Sequence, residues 1–456
     1  MKKSLRLCGD WESACANRGG GDIMRQNTPA AMQKPNRDIA VLFCTRFTRL
    51  FAYGSLSVYL VLYLAKLGFS GSQIGTLLAL TLAGDTVVSL WLTTRADRFG
   101  RRRTLFVGAA LMAIAGAVFA MADSFTVLLI AATIGVISPS GDEVGPFLAV
   151  EQAALSQVVS DRNRTTLFAW YTMAGTLATA AGSLAGGVLI GTLQDAGVEP
   201  PGNYQIGAAG YAVLGVVLLL IFTQLSPSAE VAPHKPETNE LGTKKNTVGW
   251  LGLKQSRSIV LRLSALFALD AFGGGFVIQS LVAYWFFERY HVDGAALGGI
   301  FCGANVLAGL SALAAASCAR RFGLINTMVF THLPSNVLLI LVPLMPNLPL
   351  AIAVLFVRFS ISQMDVPTRQ SYTMAVVPPH ERSAAAGVTG VSRTIGRTIS
   401  QFIAGSLISF SVLHKTHVPL DMFFYLSGGL KIVYDLLLYR GFVKHRPPEE
   451  TTDRRM

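Results

Sequence analysis

Charge is what this sequence has least of. Lys, Arg, Asp and Glu make up 14% of its 456 residues, against about 25% in soluble domains, which excludes an ordinary water-soluble enzyme or binding domain. Cysteine is nearly as sparse. Cys8, Cys15, Cys44, Cys302 and Cys318 show no metal-ligand spacing, and no external loop carries two, so neither a disulfide framework nor a thiolate metal centre is expected. The histidines do not cluster either: His291, His332, His380, His414 and His417 fall at expected loops or helix ends, His234 in a polar linker and His445 in the tail. With no nucleophile beside a base and no ligand cluster, neither an enzyme nor a bound cofactor is expected. The alternation of apolar and polar residues over about 10 positions that membrane strands need is also missing.

What the chain has instead is length of apolar sequence. A helix needs about 20 apolar residues to cross the hydrocarbon core of a bilayer. Twelve such stretches are present, at roughly 41–65, 73–94, 103–122, 125–150, 166–191, 205–225, 259–287, 295–317, 324–345, 348–376, 385–410 and 420–440. They predict an all-α membrane protein with twelve spans, numbered here in that order. Several exceed the minimum length, which implies tilt or a bend rather than additional spans.

The net charge of +12 invites a nucleic-acid reading, but its distribution argues against one. With both termini on the cytoplasmic side, the cytoplasmic segments hold about 27 of the 38 Lys and Arg. The external loops hold only Lys66, Arg289 and Lys415; Arg46, Arg49, Arg262, Arg358, Arg369, Arg393, Arg397 and Lys431 fall within spans. Basic residues stay on the cytoplasmic side of inserted helices, so the charge reports topology. A channel would need a ring of selectivity groups, and no such pattern is present.

The densest basic segment is the turn between spans 2 and 3, Asp97-Arg98-Phe99-Gly100-Arg101-Arg102-Arg103, with Arg95 just before it. Ala96-Asp97-Arg98-Phe99-Gly100 returns in the second half of the chain as Ala319-Arg320-Arg321-Phe322-Gly323. Glu151-Gln152 corresponds to Arg369-Gln370, Arg164-Thr165 to Arg382-Ser383 and Gly187 to Gly405, all three pairs at one and the same separation. A separation that holds across several spans describes two parallel halves. The D-R-x-G-R-R turn and the repeat resemble the major facilitator superfamily, over residues 40 to 440. In span 5, Gly182-Ser183-Leu184-Ala185-Gly186-Gly187 resembles the end of the motif of that family's drug–proton antiporters, with Ser183 where Pro is usual; tight helix packing accounts for the same small residues. No sugar-porter signature follows span 6.

The resemblance implies two pseudo-symmetric six-helix halves working by alternating access. Residues 39–225 and 259–440 are the expected halves, joined by a polar, proline-containing linker at 226–258 and flanked by polar tails at 1–38 and 441–456. The first tail holds no apolar core of the kind a signal peptide needs. The resemblance also implies that Asp97, Arg98, Gly100 and Arg101, together with Glu151 and Arg369, belong to an inner gate, and that spans 1, 4, 7 and 10 line a central cavity. Since Arg320 replaces the Asp in the second half, the gate is expected to be asymmetric.

Ionisable residues at depth in a membrane mark substrate or ion pathways. The candidates are Asp85 in span 2, Asp142 and Glu143 in span 4, Asp270 in span 7, and Arg358 and Asp365 in span 10. Asp142 and Glu143 are adjacent and flanked by Pro139 and Pro146, which predicts a broken helix presenting two mutually repelling carboxylates, one of them fit to carry a proton. Asp270 and Asp365 are the fallback carriers. Tyr284 and Trp285 are expected either as an aromatic wall for an organic substrate or as interfacial anchors. Arg393 and Arg397, one turn apart, are expected to be structural. The sequence thus predicts a monomeric secondary transporter in the cell membrane, its partners a small solute, protons and the lipid bilayer. The mixed charges leave cation, zwitterion and anion all open as substrate. The span 5 motif tilts the reading towards proton-coupled export, with a proton-coupled or facilitative importer, or a non-transporting membrane sensor of the same fold, as the alternatives.

Overall fold

The computed structural model of the protein describes residues 35–143, 145–148, 150–151, 155, 161–226, 256–378, 381–414, 416 and 418–443. The side chains of Asp97 and Arg98, and nearly all of the expected linker and tails, lie outside the described residues.

Among those residues ten helices are long and apolar enough to cross a membrane. Two more helices complete the twelve: the short apolar Phe125–Ile134 that opens span 4, and the long Arg382–His414 that forms span 11. The unbroken spans are Pro35–Lys66, Gly71–Phe99, Arg101–Met121, Asp161–Asp195, Gly202–Phe222, Gly294–Phe322, Leu324–Leu341, Arg382–His414 and Val418–Phe442. At 1.5 Å per residue the 32 residues of span 1 run about 48 Å, well beyond an apolar layer about 30 Å thick. Large apolar side chains stand outwards, including Val87, Trp91, Ile114, Ile130, Val213, Leu220 and Leu436. Such a surface needs hydrocarbon around it.

The repeat is visible in how the helices end and meet. Gly100 between spans 2 and 3 has φ 95°, and its counterpart Gly323 between spans 8 and 9 has φ 86°; only a residue without Cβ turns there at no steric cost. The halves touch through two seams related by the same repeat. Gly187 of span 5 lies against Gly294 and Gly298 of span 8, while its counterpart Gly405 of span 11 lies against Gly71 and Gly75 of span 2. A Cβ at any of these positions except Gly294 would run into the facing backbone. Gly71 and Gly294, and Gly75 and Gly298, keep the separation of the two repeated turns. Both seams lie at the end of the bundle away from the basic turns, where the Ser72 N–H also donates to Ser409 Oγ at 2.8 Å. The bundle is therefore closed at that end.

Three spans are broken. Span 7 is split into Arg257–Gly275 and Gln279–Tyr290, and span 10 into Leu348–Ser362 and Asp365–Ala375. Span 4 leaves the helix earlier than Pro139 alone predicts, at Gly135, and resumes after Pro146. Its freed backbone groups find partners on four other spans, which is how irregular chain survives at membrane depth. Tyr211 donates to Val136 O at 2.6 Å, Thr179 to Gly141 O at 3.3 Å and Ser280 N to Pro139 O at 3.3 Å. Asp85 accepts from Gly145 N at 2.7 Å.

Candidate functional site

The broken spans hold most of the intramembrane charge, and each half gathers its own. In the first half two arginines, one turn apart on span 1, meet two glutamates of span 4. Arg46 Nη1 donates to Glu143 at 2.8 Å, as does Arg49 Nε, and Arg49 also donates through Nη1 and Nη2 to both oxygens of Glu151 at 2.9 and 2.7 Å. Thr45 and Tyr171 donate to Glu151 as well, and Arg46 lies over the Tyr171 ring at 4.5 Å. Arg49 and Glu151 are completely buried. The bidentate fork satisfies both carboxylate oxygens, the condition under which a buried pair holds.

In the second half the signs are reversed. The acid now sits on span 7 and the arginine on span 10: Arg369 Nη1 donates to Asp270 at 2.7 Å, and Lys431 of span 12 donates to its other oxygen at 2.8 Å. Asp365 lies 3.3 Å from the same Arg369 nitrogen. His332 of span 9 stands 3.9 Å from Asp270 and turns its Nδ1 to Asp435 at 2.9 Å. Asn336 donates to Asp435 at 2.9 Å. Glu151 and Arg369, equivalent in the repeat, thus play opposite parts in mirrored clusters.

Between the halves lies Asp142. Its side chain is 67% exposed and 3.9 Å from Arg397 of span 11. A carboxylate that open, inside a bundle closed at one end, faces the space between the halves. Deeper in, Gln279 at the second segment of span 7 donates to Ser57 at 2.8 Å and Ser183 at 2.9 Å, and accepts from Asn305 at 3.0 Å. This polar tie joins the halves just inside the closed end.

Several residues sit elsewhere than the sequence predicts. Asp142 and Glu143 do not form a carboxylate pair, because the irregular backbone turns Glu143 to the arginines of span 1 and Asp142 to the opposite half. Asp85 holds the backbone of broken span 4. Tyr284 and Trp285 are buried in the core, with Trp285 Nε1 donating to Asp421 at 2.7 Å, so they form no cavity wall. His332 is not at a helix end but within span 9 and buried. Lys431, Asp435, Asn336 and Gln279 are site residues that the sequence does not single out. The pairs His332/Asn336 and Lys431/Asp435 each recur at i,i+4, a spacing that puts both members on one helix face. Gly100 caps span 3, Arg101 is buried at its start, and Arg358 is half-buried in span 10. Among the described residues no group of three His, Cys, Asp or Glu is placed to hold a metal ion.

Comparison with known proteins agrees with this architecture. The sequence model of the Major Facilitator Superfamily matches residues 42–401. An uncharacterized membrane protein of Saccharomyces cerevisiae is 30% identical over 425 residues, covering 88% of this chain and 93% of that protein. The quinolone resistance protein NorA of Staphylococcus aureus is 30% identical over 103 residues, 23% of this chain and 26% of that one. A bacterial homologue of the lysosomal transporter Spinster, in an inward-facing and occupied conformation, superposes with a TM-score of 0.70 at 14% identity, over 90% of this chain and 98% of that one.

Proposed function

Because this chain belongs to the Major Facilitator Superfamily, whose members are secondary transporters, we propose that it moves a small solute by alternating access, with proton coupling and in the direction of export. The observation that carries this reading is the pair of sign-reversed ion clusters on broken spans, flanking a central space closed at one end. The glycine seams supply a surface that can part and re-form as the halves rock. The whole pathway lies within one chain, which supports a monomeric unit. The stretch shared with NorA supports export, since that protein is named for drug resistance.

Coupling is assigned to the second cluster. A proton on Asp270 cancels the charge that holds Arg369 and Lys431 together across spans 7, 10 and 12. His332 and Asp435 stand within reach to take the proton on or pass it back. Rearranging that cluster changes how three spans of one half pack, which is the kind of two-state element that rocking needs. Glu143 and Glu151 differ from Asp270 in their partners. Among the described residues their charged partners are arginines alone, whereas Asp270 also has Lys431 and His332 beside it, groups that can exchange a proton.

Two measurements check the proposal. Uptake into inside-out vesicles, run against a panel of cationic, neutral and anionic drugs and metabolites, is expected to depend on a pH gradient for at least one compound. If flux is found only without dependence on the gradient, uniport or another ion replaces proton coupling. Reporter fusions after residues 200 and 240 are expected to read external and cytoplasmic; the same side for both overturns the orientation.

A further inference from the structure

The first-half cluster balances its own charge, two arginines against two glutamates. The second half does not. Three of its arginines form no ion pair with the Asp270 cluster among the described residues. Among the described residues the one carboxylate that Arg397 reaches is Asp142 of the opposite half, at 3.9 Å and without a hydrogen bond. Neither Arg358 nor Arg393 has a carboxylate within ion-pair distance among the described residues, and the Nε of each is buried with no hydrogen-bond partner. Arg393 lies one turn from Arg397 on span 11, near Arg369, Asp270 and Asp365 but without an ion pair to either carboxylate.

A guanidinium remains charged at any pH the protein meets. Out of water and without a counter-ion it is costly. A fixed positive charge at depth is therefore a standing demand for an anion. The planar fork of arginine matches carboxylate and phosphate oxygens two at a time. Arg397 faces Asp142 across the space between the halves, so whatever enters that space meets the guanidinium of span 11.

We propose that Arg393 and Arg397 form the seat for an anionic group, a carboxylate or phosphate, on the transported solute. This rests on the transporter reading and narrows it: the substrate is an organic anion or a zwitterion whose cationic end meets Asp142. Arg397 then exchanges a weak contact with Asp142 for a direct one with the solute. Asp142 repels an anion that enters with the wrong end first.

The test uses the full-length protein in lipid nanodiscs and three probes with one ring and three charges: benzoate, benzyl alcohol and benzylammonium. Benzoate is expected to raise the unfolding temperature more than the other two. Its apparent affinity is expected to fall at least tenfold in R393Q and in R397Q, with R393K intermediate. An equal or larger effect of benzylammonium, no effect of benzoate, or an unchanged benzoate response in both glutamine variants would each overturn the site. Flux separates this failure from failure of the transporter reading. An R393Q protein that still moves its panel compound at the wild-type rate removes the anion seat and leaves alternating access standing. A benzoate response lost in R393Q, in a protein that moves no panel compound, keeps the seat and removes the transporter.

Discussion

Arg49→Met is expected to destabilise the protein more than any other single substitution in the first half. It leaves Glu151 charged and completely buried, with only the hydroxyls of Thr45 and Tyr171 donating to it among the described residues, and takes one of two arginines from Glu143. Removing one partner of a buried pair costs about 3–5 kcal/mol. Replacing both partners by apolar residues of similar volume is often neutral. The double variant Arg49→Met/Glu151→Met is therefore expected to recover most of the lost stability, since Glu143 keeps Arg46 at 2.8 Å. Thermal unfolding of the three proteins in one detergent decides it. A single variant as stable as wild type, or a double variant no better than the single, means that the cluster does not act as a closed unit.

Asp270→Asn carries the largest expected functional effect. The substitution removes the carboxylate that Arg369 and Lys431 share, leaving Arg369 with Asp365 and Lys431 with none of its present contacts to Asp270. Accumulation driven by a pH gradient is expected to fall at least tenfold. Exchange of solute at equal pH is expected to survive, since exchange needs alternation but no net movement of protons. Loss of both together would make Asp270 a structural pair only. The same experiment on Asp365→Asn and Asp142→Asn separates the carrier from its neighbours. Glu143→Gln is expected to lower stability rather than uncouple, because Glu143 answers two arginines.

The architecture is legible in the sequence because it depends on coarse features. Twelve apolar stretches, the one-sided Lys and Arg, and the constant separations of the repeat survive any detail of packing. The repeat reaches further than the motifs suggest: it relates Gly187 to Gly405 and Gly75 to Gly298, the residues of the two seams. The site is only half legible. Charged residues inside spans can be counted in a sequence, but their partners come from other spans. Asp142 and Glu143 are neighbours in the chain and point to opposite halves, because span 4 is irregular from Gly135 to Pro146 and adjacency there fixes no common face. His332 reads as a helix-end residue in the sequence, although Asn336 one turn on gives it a polar companion on the same face. Lys431 can be counted as an intramembrane charge, but nothing in the sequence links it to Asp270 on a distant span.

Alternating access requires the halves to part at the seam now closed. It is tested most directly by joining them there. Ser72 N and Ser409 Oγ are 2.8 Å apart across the two halves, so cysteines at both positions are within reach of a disulfide or a short cross-linker. Flux of a panel compound through Ser72→Cys/Ser409→Cys protein in vesicles is the measurement. Oxidation is expected to stop flux, reduction to restore it, and either single cysteine to behave as wild type under both conditions. Undiminished flux through a fully cross-linked protein would contradict alternating access at this seam.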